Sequence, residues 1–397
     1  MKSLDDARRL DAADPLRRFA ADFALPEGVI YLDGNSLGAP PRRALDRLAQ
    51  TANEEWRNGL IRSWNAAGWI DLPKRAGAKI ARLIGADEDS VVVCDSVSVN
   101  LFKLAAALIA RNPGAALCVD AAEFPTDQHV LEGVARMTGA PLLRLDDDDI
   151  PDHAVLVRSL AHYKSAEILD MAAMESVARK KRCDIIWDLS HAAGLVAVDM
   201  KEAGARFAVG CGYKFLNGGP GAPAFISVAR EEAEQIIQPI SGWMGHAAPF
   251  DFSSDYAPAD GVQRFNAGTP PILSLSALDA ALDVFDGLDL NLLETKARAL
   301  GEFFLDCVDD LPLTPLPTPA RRGGHVCLRS DDGYAIMQAL IARGVIGDFR
   351  APDLMRFGFA PLYISFENVR RAAETLREVL STQEWRRAEF GKRGKVT

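Results

Sequence analysis

No two cysteines in this 397-residue chain have the CxxC spacing; the six present, at 94, 118, 183, 211, 307 and 327, are scattered. Most lie in apolar runs such as Val91-Val92-Val93-Cys94 and Leu117-Cys118-Val119, so they read as buried thiols of a reducing compartment, not as a disulfide framework. No apolar run is long enough to span a membrane. The first ten residues are charged and lack the apolar stretch of a secretory leader, so the cytoplasm is the expected location and no membrane partner is expected. Positive charge is in deficit: 45 Lys and Arg against 55 Asp and Glu leave a net charge of -10, which repels polyanions and excludes nucleic acid as the natural partner. The glycines and Lys-Ser/Thr of a Walker loop are missing. His129, His153, His162, His246 and His325 have no metal-ligand spacing, so they read as structural and no metal is expected. There is no internal repeat and no low-complexity segment. The densest acidic run, 146 to 149, reads as a solvated loop.

What is present is the composition of an ordinary globular protein, 48% hydrophobic and 25% charged. The length exceeds what one core usually supports, so two domains are expected. Residues 1–30 read as an N-terminal helical segment. From 31 to 280, helical stretches such as Lys74–Leu83 and Val99–Ala110 alternate with short apolar runs. Those runs are Val91–Cys94, Ala116–Val119, Ala154–Val157, Asp184–Trp187, Phe207–Gly210 and Ala224–Ile226. Apolar throughout, they look like strands buried on both faces of a mainly parallel sheet, which makes this an α/β domain. Residues 281–397 read as a smaller α+β domain: a long helix over Leu275–Asp309 leads into it, and strands at His325–Leu328, Val345–Asp348 and Leu354–Phe359 follow.

Three segments of the larger domain carry chemistry. In Ile186-Trp187-Asp188-Leu189-Ser190-His191, an apolar strand delivers Asp188 at its carboxyl end, where open α/β sheets bind ligands. A carboxylate there suits the ring nitrogen of pyridoxal phosphate and strengthens the ring as an electron sink. It also suits a plain turn cap. In Cys211-Gly212-Tyr213-Lys214-Phe215-Leu216-Asn217-Gly218-Gly219, a lysine leaves a strand between two aromatic rings, a desolvated setting of the kind a Schiff-base amine needs, although an exposed loop lysine has the same appearance. In Glu123-Phe124-Pro125-Thr126-Asp127, Phe124 can stack on a flat ring and Asp127 can bond beside it. The 26-residue interval from Asp188 to Lys214 matches the spacing in pyridoxal-phosphate enzymes of the aspartate-aminotransferase fold. Asp95-Ser96-Val97-Ser98, between a strand and a helix, adds an anion cradle of backbone N–H groups and the Ser98 hydroxyl.

From about residue 29 to 380 the chain resembles kynureninases, on Tyr31-Leu32-Asp33-Gly34-Asn35-Ser36-Leu37-Gly38, Glu123-Phe124-Pro125-Thr126-Asp127, Trp187-Asp188-Leu189-Ser190-His191, Tyr213–Gly221, Gly242-Trp243-Met244-Gly245-His246 and Arg356-Phe357-Gly358-Phe359-Ala360-Pro361-Leu362-Tyr363. The resemblance implies a fold-type-I enzyme, aspartate-aminotransferase-like, that hydrolyses L-kynurenine to anthranilate and L-alanine in tryptophan catabolism, with 3-hydroxykynurenine as a second substrate. It implies that Lys214 bonds the cofactor aldehyde and that Asp188 pairs with the pyridinium; Tyr213 is the candidate proton donor to Cβ. Val97, Ser98, Phe124, Pro125, Thr126, Asp127, Ser159, His191, Tyr213, Trp243 and Thr269 would complete the pyridoxal-phosphate site, with Trp243 and Thr269 coming from the second subunit of a homodimer. Arg356 resembles the family's clamp for the substrate carboxylate, and Ser36 its loop serine. Trp64 and Thr269 stand where the bacterial type, which favours kynurenine itself, touches the substrate ring. Two other readings remain open: another enzyme of this fold, such as an aminotransferase, epimerase or cysteine desulfurase, and a non-catalytic binding protein that keeps the fold. A desulfurase needs a mobile cysteine in its C-terminal half, for which Cys307 and Cys327 are the candidates.

Overall fold

The computed structural model describes residues 2–146 and 150–394. The expectations for 147–149 and for the last three residues fall outside it.

Seven strands form the main sheet. In chain order they are β1 (Val91–Val93), β2 (Ala116–Asp120), β3 (Leu142–Leu145), β4 (Ala154–Ser159), β5 (Asp184–Asp188), β6 (Phe207–Gly210) and β7 (Phe225–Val228). Their order across the sheet is β1-β7-β6-β5-β4-β2-β3. Only β7 runs against its neighbours; all the other pairings are parallel. Alternate side chains feed two separate cores. Val91, Val93, Cys118, Leu156, Ile185 and Trp187 face one, while Val92, Leu117, Val119, Val155, Val157 and Ile186 face the other. Burial on both faces is why these segments are apolar at every position. β3 was not legible in the sequence: it is the edge strand, half-exposed along its length, with Leu143 turned to solvent.

The second sheet has four antiparallel strands: β8 (Thr314–Pro315), β9 (His325–Arg329), β10 (Asp348–Arg350) and β11 (Leu354–Gly358), in the order β10-β11-β9-β8. The single helix expected over Leu275–Asp309 is two helices, Ile272–Leu282 and Leu290–Val308. Gly287, at φ +71°, turns the chain between them, and the Asp289 carboxylate caps the second by accepting from the Asn291 N–H. A left-handed glycine followed by an aspartate cap is a stop and restart signal that outweighs the continuous apolar pattern. The segment after the 33–38 loop is α-helical over Arg42–Gln50 and continues as a π-helix over Thr51–Gly59. No helix among the described residues is long and apolar enough to cross a membrane.

One pairing joins distant parts of the chain. Ile30–Tyr31 lies parallel to Val345–Ile346. The Leu32 N–H donates to the Ile346 carbonyl at 2.6 Å, and the Gly358 N–H donates to the Leu32 carbonyl at 2.7 Å. The loop that follows, 33–38, is thereby held against the second sheet at one end. At its other end the Gly38 N–H donates to the Tyr213 carbonyl at 2.8 Å.

Candidate functional site

The carboxyl ends of the parallel strands gather most of the residues singled out in the sequence. A cleft there is lined by Val97, Ser98, Phe124, Thr126 and Asp127 together with Ser159, Asp188, His191, Tyr213 and Lys214. β5 ends on Asp188, which is buried and accepts the Ser190 N–H at 2.7 Å. Burial raises its carboxyl above the usual range, and the hydrogen bonds from Ser190 and the charge of Lys214 oppose that rise. Lys214 follows β6; its Nζ lies 2.9 Å from His191 Nε2 and 5.9 Å from the centroid of the Phe124 ring. Burial, then the charges of Lys214 and Arg356, hold His191 well below the ordinary imidazole range. It is therefore a neutral ring, and its Nε2 faces Lys214 Nζ.

Beyond β1, Asp95 takes a positive φ of 50° and Ser96 caps the 15-residue helix Val97–Arg111. That turn presents the first N–H groups of the helix to the cleft, which suits an anion. Three buried polar atoms here have no partner among the described residues: both carboxylate oxygens of Asp127 and Nδ1 of His191. Burial, then the charges of Asp188 and Glu123, push Asp127 well above the carboxylate range. Unfilled polar atoms, an anion cradle, an aromatic face and an amine beside a buried carboxylate suit a flat heteroaromatic phosphate such as pyridoxal phosphate.

Several groups in this cleft were not singled out in the sequence as site residues. Glu123 is buried and fixes Ser159 twice: the Ser159 hydroxyl donates to Oε1 at 2.6 Å and its N–H to Oε2 at 2.8 Å. The Ser159 hydroxyl proton is thus already committed. Tyr163 also lines the cleft, edge-on to Phe124 with ring centroids 5.2 Å apart. The position of Glu123 at the end of a strand was the available signal for it; Tyr163 gave none.

Arg356 and Ser36 form an adjoining cluster. Arg356, on β11, is 1% exposed and donates to the Tyr163 carbonyl at 2.8 Å, which joins the cluster to the cleft. Arg356 is paired with Asp348, and Ser36 Oγ donates to the same carboxylate at 2.9 Å. Asp33 stands beside them with a buried, unpartnered Oδ1. Burial and then the charge of Asp348 push its carboxyl up to about 7.

Four expected residues do not line the cleft of their own chain. Pro125 is exposed and opens the helix Pro125–Thr138. Trp64 packs edge-on to Trp69, with ring centroids 6.0 Å apart. Thr269 is exposed, and Trp243 is 41% exposed in a cluster with Phe250 and Phe252. A larger depression near Asp170, Asp199 and Arg321 holds none of this chemistry: the two carboxylates cap helices and the arginine pairs with Glu294.

Comparison with known proteins agrees with this geometry. Residues 293–376 match the family described as kynureninase C-terminal domain. The chain is 44% identical to a kynureninase of Burkholderia mallei over 417 aligned residues and 44% identical to one of Pseudomonas fluorescens over 416, each alignment covering 100% of both chains. Among solved structures, a cysteine desulfurase of Escherichia coli superposes with a TM-score of 0.77 at 19% identity, covering 92% of this chain and 98% of that one. The apo cysteine desulfurase of Thermococcus onnurineus superposes with a TM-score of 0.78 at 18% identity, covering 96% and 99%. At such identities the likeness is one of fold, the fold type of pyridoxal-phosphate enzymes expected from the Asp188–Lys214 interval and the family resemblance.

Proposed function

Because this chain belongs to the kynureninase family, we propose that it hydrolyses the Cβ–Cγ bond of L-kynurenine, giving anthranilate and L-alanine, with pyridoxal phosphate held beside Lys214. The observation that carries this reading is the placement of Lys214 Nζ, 2.9 Å from a neutral His191 in a cleft with a buried Asp188, with a buried arginine joined to the same cleft through Tyr163. Asp188 would hold the cofactor's ring nitrogen, Phe124 its face, and the helix N-terminus at Val97 and Ser98 its phosphate; Thr126, Asp127, Ser159 and His191 complete the enclosure. When bound, pyridoxal phosphate supplies an electron sink for bonds broken next to the substrate amine.

The protein's own groups bind the substrate and move protons. Arg356 takes the α-carboxylate, with Ser36 beside it. Lys214 Nζ removes the proton from the α-carbon, and the neutral His191 ring keeps that amine oriented. The Tyr213 phenol is raised by burial first of all, so it stays protonated and donates to Cβ as the bond to Cγ breaks. One water is consumed: its oxygen ends on the carbonyl carbon, which becomes the carboxylate of anthranilate, and Cβ becomes the methyl of alanine.

Trp243 and Thr269 are read as acting across a homodimer on the cofactor of the partner subunit, and Trp64 and Thr269 as touching the substrate ring. The exposed rings of Trp243, Phe250 and Phe252 support that arrangement, as a contiguous apolar surface of this kind favours a partner. Six free, buried cysteines fit the cytoplasm. The desulfurase reading fares worse: Cys307 and Cys327 are 1% and 4% exposed, and burial pushes the Cys327 thiol up to about 12. The direct test is to incubate the purified protein and cofactor with kynurenine, and separately with its 3-hydroxy form, and to follow anthranilate fluorescence with alanine release. No product from either would refute the proposal.

A further inference from the structure

A guanidinium has five N–H donors, and in Arg356 nearly all are spent. Asp348 takes Nε at 2.9 Å and Nη2 at 2.5 Å, one carboxylate oxygen to each, and the Asn35 amide oxygen shares the same two donors at 2.9 and 3.1 Å. The other Nη2 proton goes to Ser36 Oγ at 3.0 Å, and Nη1 gives one proton to the Tyr163 carbonyl at 2.8 Å. Among the described residues, a single Nη1–H is left uncommitted. It is on the nitrogen bonded to Tyr163, the residue that lines the cleft.

The pairing is built into the second sheet. Asp348 stands directly opposite Arg356 in the β10–β11 ladder, so the two side chains leave the sheet on the same face. Asp348 is held from two more sides: the Ser36 hydroxyl donates to it, and Arg350 pairs with it at 2.8 Å. Two guanidinium groups therefore face Asp348, and burial disfavours ionisation of the neighbouring Asp33 carboxyl, which leaves positive charge over for a ligand.

We infer that Asp348 is a positioning residue for substrate: it fixes the plane of Arg356 and fills its Nε–Nη2 edge, so that a ligand carboxylate binds only at the Nη1–Nη2 edge, turning the Ser36 hydroxyl aside. The inference rests on Arg356 as the carboxylate site. A guanidinium free to turn about its side chain presents either edge, and the amino acid then enters in more than one orientation. With Asp348 in place there is one edge and one orientation, which sets the α-carbon over Lys214.

The test uses the holoenzyme and two probes, L-alanine, which has a carboxylate, and L-alaninamide, which has none, each as an inhibitor of kynurenine cleavage. The wild-type protein prefers alanine. Asp348→Asn keeps the shape, loses the charge and sets an amide NH2 against one guanidinium N–H. It weakens alanine roughly tenfold and leaves alaninamide unchanged; KM for kynurenine rises by a like factor while kcat stays within about threefold. Unchanged alanine inhibition overturns the inference. So does tighter alanine inhibition, the mark of a released competitor, and so does equal weakening of both probes, the mark of general damage. Arg356→Met separates this inference from the reading beneath it. If the preference for alanine survives in Arg356→Met, Arg356 is not the carboxylate site. If it is lost there but intact in Asp348→Asn, only the positioning role fails.

Discussion

Replacing Asp33 with asparagine removes one titrating proton from the loop beside Arg356. Its carboxyl stands at about 7 in the folded protein because burial and then the Asp348 charge disfavour ionisation, against the opposing effects of Ser36, Arg356 and Arg350. In the unfolded chain it titrates near an ordinary aspartate value, about 4. Between about pH 4 and pH 7 the folded protein keeps a proton that the unfolded chain has released. Stability then falls as pH rises, by about 1.4 kcal/mol per pH unit, or about 4 kcal/mol over the window. Asparagine does not titrate, so this loss is absent from Asp33→Asn. For a chain of this length the difference corresponds to about 5 °C in melting temperature. Melting the two proteins side by side from pH 4 to pH 8 checks it. The variant gains on the wild type steadily up to about pH 7 and by a constant amount beyond. Any fixed cost of the new amide shifts the whole curve without tilting it. Asp348, whose carboxyl is lowered, titrates below this window. A difference that stays level across the series, or shrinks as pH rises, would show that Asp33 is ionised in the folded protein and refute the reasoning.

Three further outcomes are expected. Lys214→Ala loses the visible absorbance of the lysine-bound cofactor and all turnover; a yellow, active variant would defeat the assignment. Asp188→Ala lowers kcat by about 100-fold or more while melting like the wild type; steady-state kinetics near the wild-type rate would place the ring nitrogen's partner elsewhere. Gly38→Ala sets a Cβ against the carbonyl oxygen of Lys214 and 2.9 Å from the Asn217 Cα, so one of the two loops must move. The expected cost is about 1–3 kcal/mol with faster cofactor loss, read by melting and by dialysis; an unperturbed, fully loaded variant would mean that the loops yield freely.

How much of this was legible in the sequence follows from the distance over which each signal acts. Asp188 and Lys214 sit at the ends of apolar strands, and their interval reflects one strand-to-strand crossover, so both position and partnership could be read locally. Val97, Ser98 and Phe124 to Asp127 likewise follow strands directly, and the structure brings all but Pro125 to the cleft. Asp348 could not be read in this way. Its role comes from the β10–β11 register, which puts it opposite Arg356, and no local pattern encodes register between strands. Glu123 lay inside a recognised segment, but its grip on Ser159 crosses 36 residues. β3 was missed because an edge strand need not be apolar on both faces. The break at Gly287 was missed because apolar spacing on either side outweighed a turn signal of a few residues.

The pairing of Ile30–Tyr31 with Val345–Ile346 bears on how the protein is made. The segment that brings Ser36 to Arg356 leaves the ribosome more than 300 residues before the strand it must lie beside. Contacts so far apart in the chain close late and slowly. A nascent polypeptide can complete the seven-stranded sheet and the Lys214 loop before Arg356 and its strand are made. Fragments that stop short of residue 345 therefore lack both Arg356 and the strand that holds the Ser36 loop in place.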